Sequence, residues 1–157
     1  MANFDPSDPT ILPQCEGFNI SNSELLNQNS LKTTVIDESE VNFMHSGLKH
    51  LPDLSQFTQI QILCLRRNEI SSIVSIPFLP LLKELDLYDN LLDRIEPLNN
   101  VPNLITLDIS FNNVRMVENL EPLSLLENLY LIQNKISEIQ CLSHLKFLIV
   151  LELGANR

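Results

Sequence analysis

Apolar residues recur along this chain with a fixed spacing of 22 residues from about position 41 onward. Residues 63–73 read Leu-x-Leu-x-x-Asn-x-Ile-x-x-Ile, and the same order of apolar and polar positions begins again at Leu85, Leu107 and Leu129 without insertion. A last copy begins at Leu151. Self-similarity with a period of this length predicts a solenoid, in which each unit buries its apolar face against its neighbours.

Each Leu-x-Leu segment predicts a short strand with its two leucines facing inward and the residue between them facing outward. An asparagine follows every such strand, at the point where the chain must turn. An asparagine side chain can both donate to and accept from backbone groups that a turn leaves unpaired. We therefore predict a ladder of stacked asparagines inside the solenoid, rather than ordinary surface turn residues, formed by Asn68, Asn90, Asn112, Asn134 and Asn156.

The second half of each unit must return to the start of the next strand within about ten residues, which is too short for a long helix. Prolines in this half also disfavour a continuous helix, and they occur at Pro77, Pro80, Pro102 and Pro122. Short 3₁₀ turns fit the available length. The pattern is typical of leucine-rich repeats, so the predicted fold is an α/β repeat solenoid with a parallel concave sheet and short 3₁₀ turns on its convex side.

The repeats define two regions. Residues 1–40 show no sustained period and are strongly acidic, so they are predicted to be a mostly disordered N-terminal arm. Residues 41–157 are predicted to form the solenoid, with a weaker first repeat that has Ser46 in place of the ladder asparagine. Because the chain stops inside a repeat, we expect the solenoid to be incomplete at its C-terminus, with Leu151 and Leu153 forming an uncapped edge.

Charge and cysteine content narrow the partner classes. The net charge of −10 repels phosphate backbones and anionic lipids, so neither nucleic acid nor a membrane is the expected partner. The three cysteines are far apart and lack CxxC spacing, which favours reduced thiols in an intracellular protein. The N-terminus does not resemble a signal peptide, and no apolar run is long enough to span a membrane.

Catalytic chemistry has little support in this sequence. The three histidines fall at unrelated positions of the repeat, and no cluster has the spacing of metal ligands. No phosphate-binding loop or nucleophile motif occurs. We therefore expect no catalytic residues, no metal and no cofactor, and predict a protein that acts by binding another protein.

The concave face is the predicted binding surface, because residues that alternate with the strand leucines do not serve the core. Aromatic residues there are favoured at binding hot spots, since they bury a large area with few rotatable bonds. We expect these aromatic residues and the acidic residues around them to be exposed. The candidate partner-binding residues are Asp86, Tyr88, Asp108, Phe111, Tyr130 and Glu152.

Several repeats share more than the buried pattern. Residues 85–90 (LDLYDN), 107–112 (LDISFN) and 151–154 (LELG) closely resemble repeats of the leucine-rich-repeat regulatory subunit of type-1 protein phosphatase, the regulatory subunit 7 family. The resemblance covers roughly residues 41–157. It implies that the concave face binds the phosphatase catalytic subunit, in the nucleus and cytoplasm. It also implies contacts from Asp108, Tyr130 and Glu152, although the family more usually has Phe at the position of Tyr130.

Two other functions are compatible with the same period. One is a leucine-rich-repeat adaptor of a cytoskeletal or ciliary complex, which would not be expected to share the exposed residues quoted above. The other is a spliceosomal leucine-rich-repeat protein, against which the acidity and the lack of a basic stripe argue.

Overall fold

The computed structural model describes residues 18–19, 39–140 and 142–157. Its main feature is a 7-stranded parallel sheet with the strand order β1-β2-β3-β4-β5-β7-β9. These strands are β1 Phe18–Asn19, β2 Glu40–Asn42, β3 Ile62–Cys64, β4 Glu84–Asp86, β5 Thr106–Asp108, β7 Asn128–Tyr130 and β9 Val150–Glu152. Strands from successive repeats are therefore neighbours in space, as a solenoid requires.

The sheet register reproduces the period of the sequence. Leu63 pairs with Leu85, Leu85 with Leu107, Leu107 with Leu129, and Leu129 with Leu151. From Leu63 to Leu129 these leucines are buried, together with the apolar columns of the return legs that lie between them. The predicted leucine-rich-repeat solenoid with a parallel sheet is confirmed.

The asparagine ladder is present in every repeat that carries the residue. Asn112 Nδ2 donates to the carbonyl oxygens of Leu87 at 2.9 Å and Ile109 at 3.0 Å, and its Oδ1 accepts from the Leu92 amide at 2.9 Å. Each such side chain therefore ties its own turn to the preceding repeat, and the alternative of surface turn residues is wrong. Equivalent bonds are made by Asn68, Asn90, Asn134 and Asn156.

The residue before each ladder asparagine adopts a left-handed backbone conformation. The φ angles are 53° at Arg67, 57° at Asp89, 57° at Phe111, 54° at Gln133 and 56° at Ala155. This conformation costs a residue with a side chain about 1–2 kcal/mol. It turns the chain out of the strand and lets the asparagine point into the solenoid, where its hydrogen bonds offset the cost.

The return legs consist of isolated turns. The Ile76 amide donates to the Ile73 carbonyl at 3.0 Å, and the Leu123 amide donates to the Leu120 carbonyl at 2.9 Å. These i to i+3 bonds have the connectivity of a 3₁₀ turn, yet none continues into a helix among the described residues. A second, two-stranded parallel sheet joins β6 Met116–Val117 to β8 Glu138–Ile139, which the sequence did not predict.

Part of the N-terminal arm is a strand. Within the region predicted to be a mostly disordered arm, β1 pairs in parallel with β2, with Phe18 opposite Val41. The strand β2 begins at Glu40, next to the predicted boundary of the solenoid at residue 41. The rest of the predicted arm, residues 1–17 and 20–38, lies outside the described residues.

The last described repeat leaves its apolar residues less protected than the inner repeats do. Leu151 is 37% exposed, whereas its equivalent Leu107 is fully buried. Leu153 is partly buried against the core. Across the described ranges, no helix is long and apolar enough to cross a membrane.

Candidate partner-binding face

The concave face is formed by strand residues that alternate with the buried leucines. Asp86, Asp108, Tyr130 and Glu152 end β4, β5, β7 and β9, and each is paired directly with the next in the sheet register. They therefore form one continuous row across the sheet. The parallel arrangement sets the spacing within the row, because neighbouring strands lie about 4.8 Å apart.

The exposure of side chains in this row and in the turns that follow it differs from the expectation for an open surface. Asp108 is 1% exposed, Asp86 5% and Tyr88 7%, so the prediction that these three residues are exposed is wrong. Phe111, Tyr130 and Glu152 are partly exposed. Residues on adjacent parallel strands are close enough for long side chains to cover shorter ones, which the alternation of a single strand does not reveal.

Arg66 is one of the covering side chains. Its Nη1 lies 3.1 Å from Asp86 Oδ2, and its guanidinium carbon lies 4.3 Å from the centre of the Tyr88 ring. The Tyr88 ring in turn lies 4.8 Å from the Phe111 ring, at an interplanar angle of 41°. We call these three side chains the Arg66–Tyr88–Phe111 stack. Arg66 was not among the predicted site residues, although it occupies the same repeat position as Tyr88.

The two buried carboxylates have different hydrogen-bond partners. Asp86 Oδ1 accepts from the Tyr88 amide at 3.0 Å, and its Oδ2 accepts from Arg66. Asp108 Oδ1 accepts from the Ser110 amide at 2.8 Å, but its Oδ2 is buried without any hydrogen-bond partner. A buried carboxylate oxygen without a partner strongly disfavours the ionised form.

Both carboxyl groups are accordingly harder to ionise than an exposed aspartate. Burial raises the pKa of Asp86 to about 7; the nearby Asp108 adds to this effect and Arg66 opposes it. Burial also raises the pKa of Asp108, against the opposing effects of the hydrogen bonds from Ser110 and of the Arg66 charge. At neutral pH this part of the face is thus less negative than its residue types suggest.

Tyr130 and Glu152 form the accessible end of the row, which we call the Tyr130–Glu152 end. Burial raises the pKa of the Tyr130 phenol, and the charges of Glu152 and Asp108 raise it further. Ile132, which follows Tyr130 by two residues, is also partly exposed. An aromatic ring beside an aliphatic side chain and a carboxylate can bury apolar groups and accept a basic group from a partner.

Metal-ligating side chains are not clustered in the part of the chain that the structure describes. Among the described residues, no group of at least three histidine, cysteine, aspartate or glutamate side chains could hold a metal ion. Cys64, which precedes Asp86 in the row, is fully buried. The described part of the face presents aromatic and carboxylate side chains.

Comparison with known proteins places the chain near a set of phosphatase subunits. It is 57% identical over 51 residues to "Protein phosphatase 1 regulatory subunit SDS22" of Schizosaccharomyces pombe, which is 32% of this chain and 15% of that protein. It is 39% identical over 99 residues to the SDS22 homolog of Caenorhabditis elegans, which is 62% of this chain and 30% of that protein. The chain thus spans less than a third of the length of these curated relatives. The predicted resemblance to the phosphatase regulatory subunit is confirmed by these identities. No family model matches the chain.

Solved structures agree on the fold. A crystal structure of an internalin from Listeria monocytogenes matches with a TM-score of 0.66 and 29% identity, over 73% of this chain and 34% of that chain. The leucine-rich-repeat protein LIC12759 of Leptospira interrogans matches with a TM-score of 0.62 and 28% identity, over 70% of this chain and 29% of that chain.

Proposed function

We propose that this chain is a protein-binding regulatory scaffold that binds the catalytic subunit of type-1 protein phosphatase through its concave face. The observation that carries the proposal is the 57% identity over 51 residues with a curated phosphatase 1 regulatory subunit. On this proposal the chain is not an enzyme and acts by altering the phosphatase. The predicted location in nucleus and cytoplasm remains part of the proposal.

The chemistry of the face supports a protein partner. Phe111 and Tyr130 are partly exposed aromatic side chains on a sheet, of the kind that forms the centre of many interfaces. Glu152 lies next to Tyr130 in the row. Together with the net charge of −10, it favours a partner surface that carries basic side chains.

The structure divides the candidate residues into two groups. Phe111, Tyr130 and Glu152 are accessible and are proposed as direct contacts. Asp86, Tyr88 and Asp108 are buried, so in the free chain they act from beneath the surface: Tyr88 supports the Phe111 ring and the carboxylates set the local charge. Direct contact with Asp108 would require side-chain rotation on binding, which is common at interfaces.

The relatives favour the phosphatase over the two alternatives. A cytoskeletal or ciliary adaptor and a spliceosomal protein would share the repeat period and the fold. The curated relatives described above instead carry the name of a phosphatase 1 regulatory subunit, and their identity with this chain extends over 51 and 99 residues.

The proposal is tested by mixing the purified chain with purified type-1 catalytic subunit and analysing the mixture by size-exclusion chromatography. We expect co-elution with the type-1 subunit and none with a type-2A catalytic subunit at the same concentration. The Schizosaccharomyces pombe relative serves as the positive control. Separate elution from the type-1 subunit, while the positive control co-elutes, would overturn the proposal for this chain.

A further inference from the structure

Two carboxylates are packed side by side in the middle of the concave face. Asp86 and Asp108 occupy equivalent positions in successive repeats and are direct partners in the register of β4 and β5. Their backbones are about 4.8 Å apart at this point. Both are sealed from solvent, so water does not screen one from the other.

The pair has fewer compensating groups than two negative charges need. Arg66 donates to Asp86, whereas Asp108 Oδ2 has no hydrogen-bond partner. If both groups ionised, one buried negative charge would lack a bonded cation, and such an arrangement is costly. A single proton on the pair removes that cost and leaves one carboxylate for one guanidinium.

The surroundings of the pair contain more acid than base. Arg66 is the cation whose charge acts on Asp108, and the charge of Arg67 acts on the neighbouring Tyr88. Negative charge is added by Glu152, which acts on Asp108, and by Glu84, which acts on the neighbouring Tyr130. The titratable and charged groups that act on the pair or on its neighbours are Cys64 on β3 and Arg66 after it, Glu84 on β4, Tyr88 and Asp89 after it, Tyr130 on β7 and Glu152 on β9.

We propose that Asp86 and Asp108 hold one proton between them near neutral pH in the free chain, and that docking of a basic side chain at the Tyr130–Glu152 end expels it. The second half of this inference rests on the proposed function. Because the two groups interact strongly, the proton belongs to the pair rather than to either residue.

The link between the exposed end and the buried pair is electrostatic. The charge of Glu152 helps to raise the pKa of Asp108, although it is smaller in effect than burial. A cationic side chain bound beside Glu152 reverses the sign of the local field. It thereby stabilises the ionised pair without having to reach Asp108 itself. Partner binding would then become tighter as the pH rises and the proton leaves.

The shared proton on Asp86 and Asp108 can be tested in the free chain, without any partner. Carboxyl ¹³C chemical shifts of Asp86 and Asp108 are followed by NMR between about pH 4 and pH 9, with the exposed Asp93 as the internal reference. We expect one transition of the pair near neutral pH, at least two pH units above the value of about 3.9 for an aspartate in a model peptide. Ionisation of both groups below about pH 5 would overturn the proposal.

The loss of this proton on partner binding is tested with the complex. Calorimetric titration of the chain with type-1 catalytic subunit, in buffers of different ionisation enthalpy, gives the number of protons released on binding. We expect release of about half a proton at pH 7 and affinity that increases about tenfold from pH 6 to pH 8. In Asp86→Asn both effects should be smaller, whereas Asp93→Asn should retain them.

The outcomes separate the two proposals. Equal proton release from the natural chain and from Asp86→Asn would overturn the linkage while leaving phosphatase binding intact. Absence of any binding would overturn the proposed function and the linkage, but the NMR titration of the free chain still decides whether the pair holds a proton. That titration uses the natural sequence, so it does not depend on the folding of any variant.

Discussion

Asp86 and Asp108 lie side by side on neighbouring parallel strands, both buried, and one guanidinium donates to Asp86 alone. This relationship explains why a face rich in acidic residues is not an open acidic surface. It also makes the stability of the solenoid depend on pH in a direction opposite to that of an ordinary salt-bridged aspartate.

The free energy of unfolding should fall as the pH rises from about 4 to about 7. The pKa of Asp86 is raised to about 7 in the folded chain, above its value of about 3.9 when unfolded, so the folded state binds more protons in this window. Urea unfolding at pH 5 and pH 8 should therefore show a loss of about 1–3 kcal/mol that is smaller in Asp86→Asn. An identical pH dependence in both chains would contradict this, and Asp93→Asn should behave like the natural chain.

Removal of the Arg66 side chain should destabilise the folded chain mainly at high pH. Arg66→Ala leaves the ionised Asp86 buried without its cation, which is expected to cost about 1–3 kcal/mol at pH 8. At pH 5 the Asp86–Asp108 pair holds a proton and carries less negative charge, so the cost should be smaller and include lost contact with Tyr88. Chemical denaturation of both chains at the two pH values measures the difference, and an equal cost at both would argue against a proton on the pair.

The ladder asparagines should contribute most to stability in the middle of the solenoid. Asn112→Ala would leave the buried Leu92 amide and two carbonyl groups without their partner, and we expect a loss of about 1–3 kcal/mol. Asn156→Ala is the matched control, because Asn156 makes the same kind of bonds but is only partly buried at the last repeat. The melting temperature should decrease more for Asn112→Ala than for Asn156→Ala. Equal decreases would mean that burial does not determine how much these hydrogen bonds stabilise the fold.

A β-branched residue in the turn after a strand should lower the free energy of unfolding. Gln133 is exposed and has a φ of 54°, so Gln133→Val places a stiff side chain in the left-handed region and should cost about 1–2 kcal/mol. Gln133→Gly should change stability little, because relief of the backbone cost is offset by greater freedom in the unfolded chain. Urea titration of the two variants distinguishes them, and comparable stabilities would show that the turn relaxes.

Much of this fold could be predicted from the sequence because its physical cause is local and repeated. A period of 22 residues requires that Leu63 pair with Leu85, and the structure has that register. The position of Asn112 after its strand similarly predicts a side chain that serves the turn, and its three short hydrogen bonds do so. These features need only the pattern within one unit and the fact that the units stack.

The candidate site could be predicted only in part, because its exposure depends on neighbouring repeats. Alternation within β5 correctly places Asp108 opposite the core leucines, but it cannot show that adjacent side chains seal it. The Arg66–Tyr88–Phe111 stack crosses three repeats, and its contacts depend on side-chain length and rotamer. The pairing of β1 with β2 was also missed, because residues near Phe18 do not keep the period.

Burial of Asp108 also changes which substitutions can test binding. Asp108→Lys would place an ammonium group where only 1% of the residue is exposed, so it would report on folding before it reported on a partner. Tyr130 and Glu152 are partly exposed and are better suited to the test.

Binding of the phosphatase catalytic subunit by the concave face is tested most directly by the dissociation constant of the purified pair. Tyr130→Ala and Glu152→Lys are compared with Phe78→Ala and Asp93→Lys, which alter exposed residues outside the concave row. We predict at least about tenfold weaker binding for each concave-face variant, equivalent to about 1.4 kcal/mol, with unchanged circular dichroism and no change for the controls. Unchanged affinity in both concave-face variants, or an equal loss in the controls, would contradict the claim.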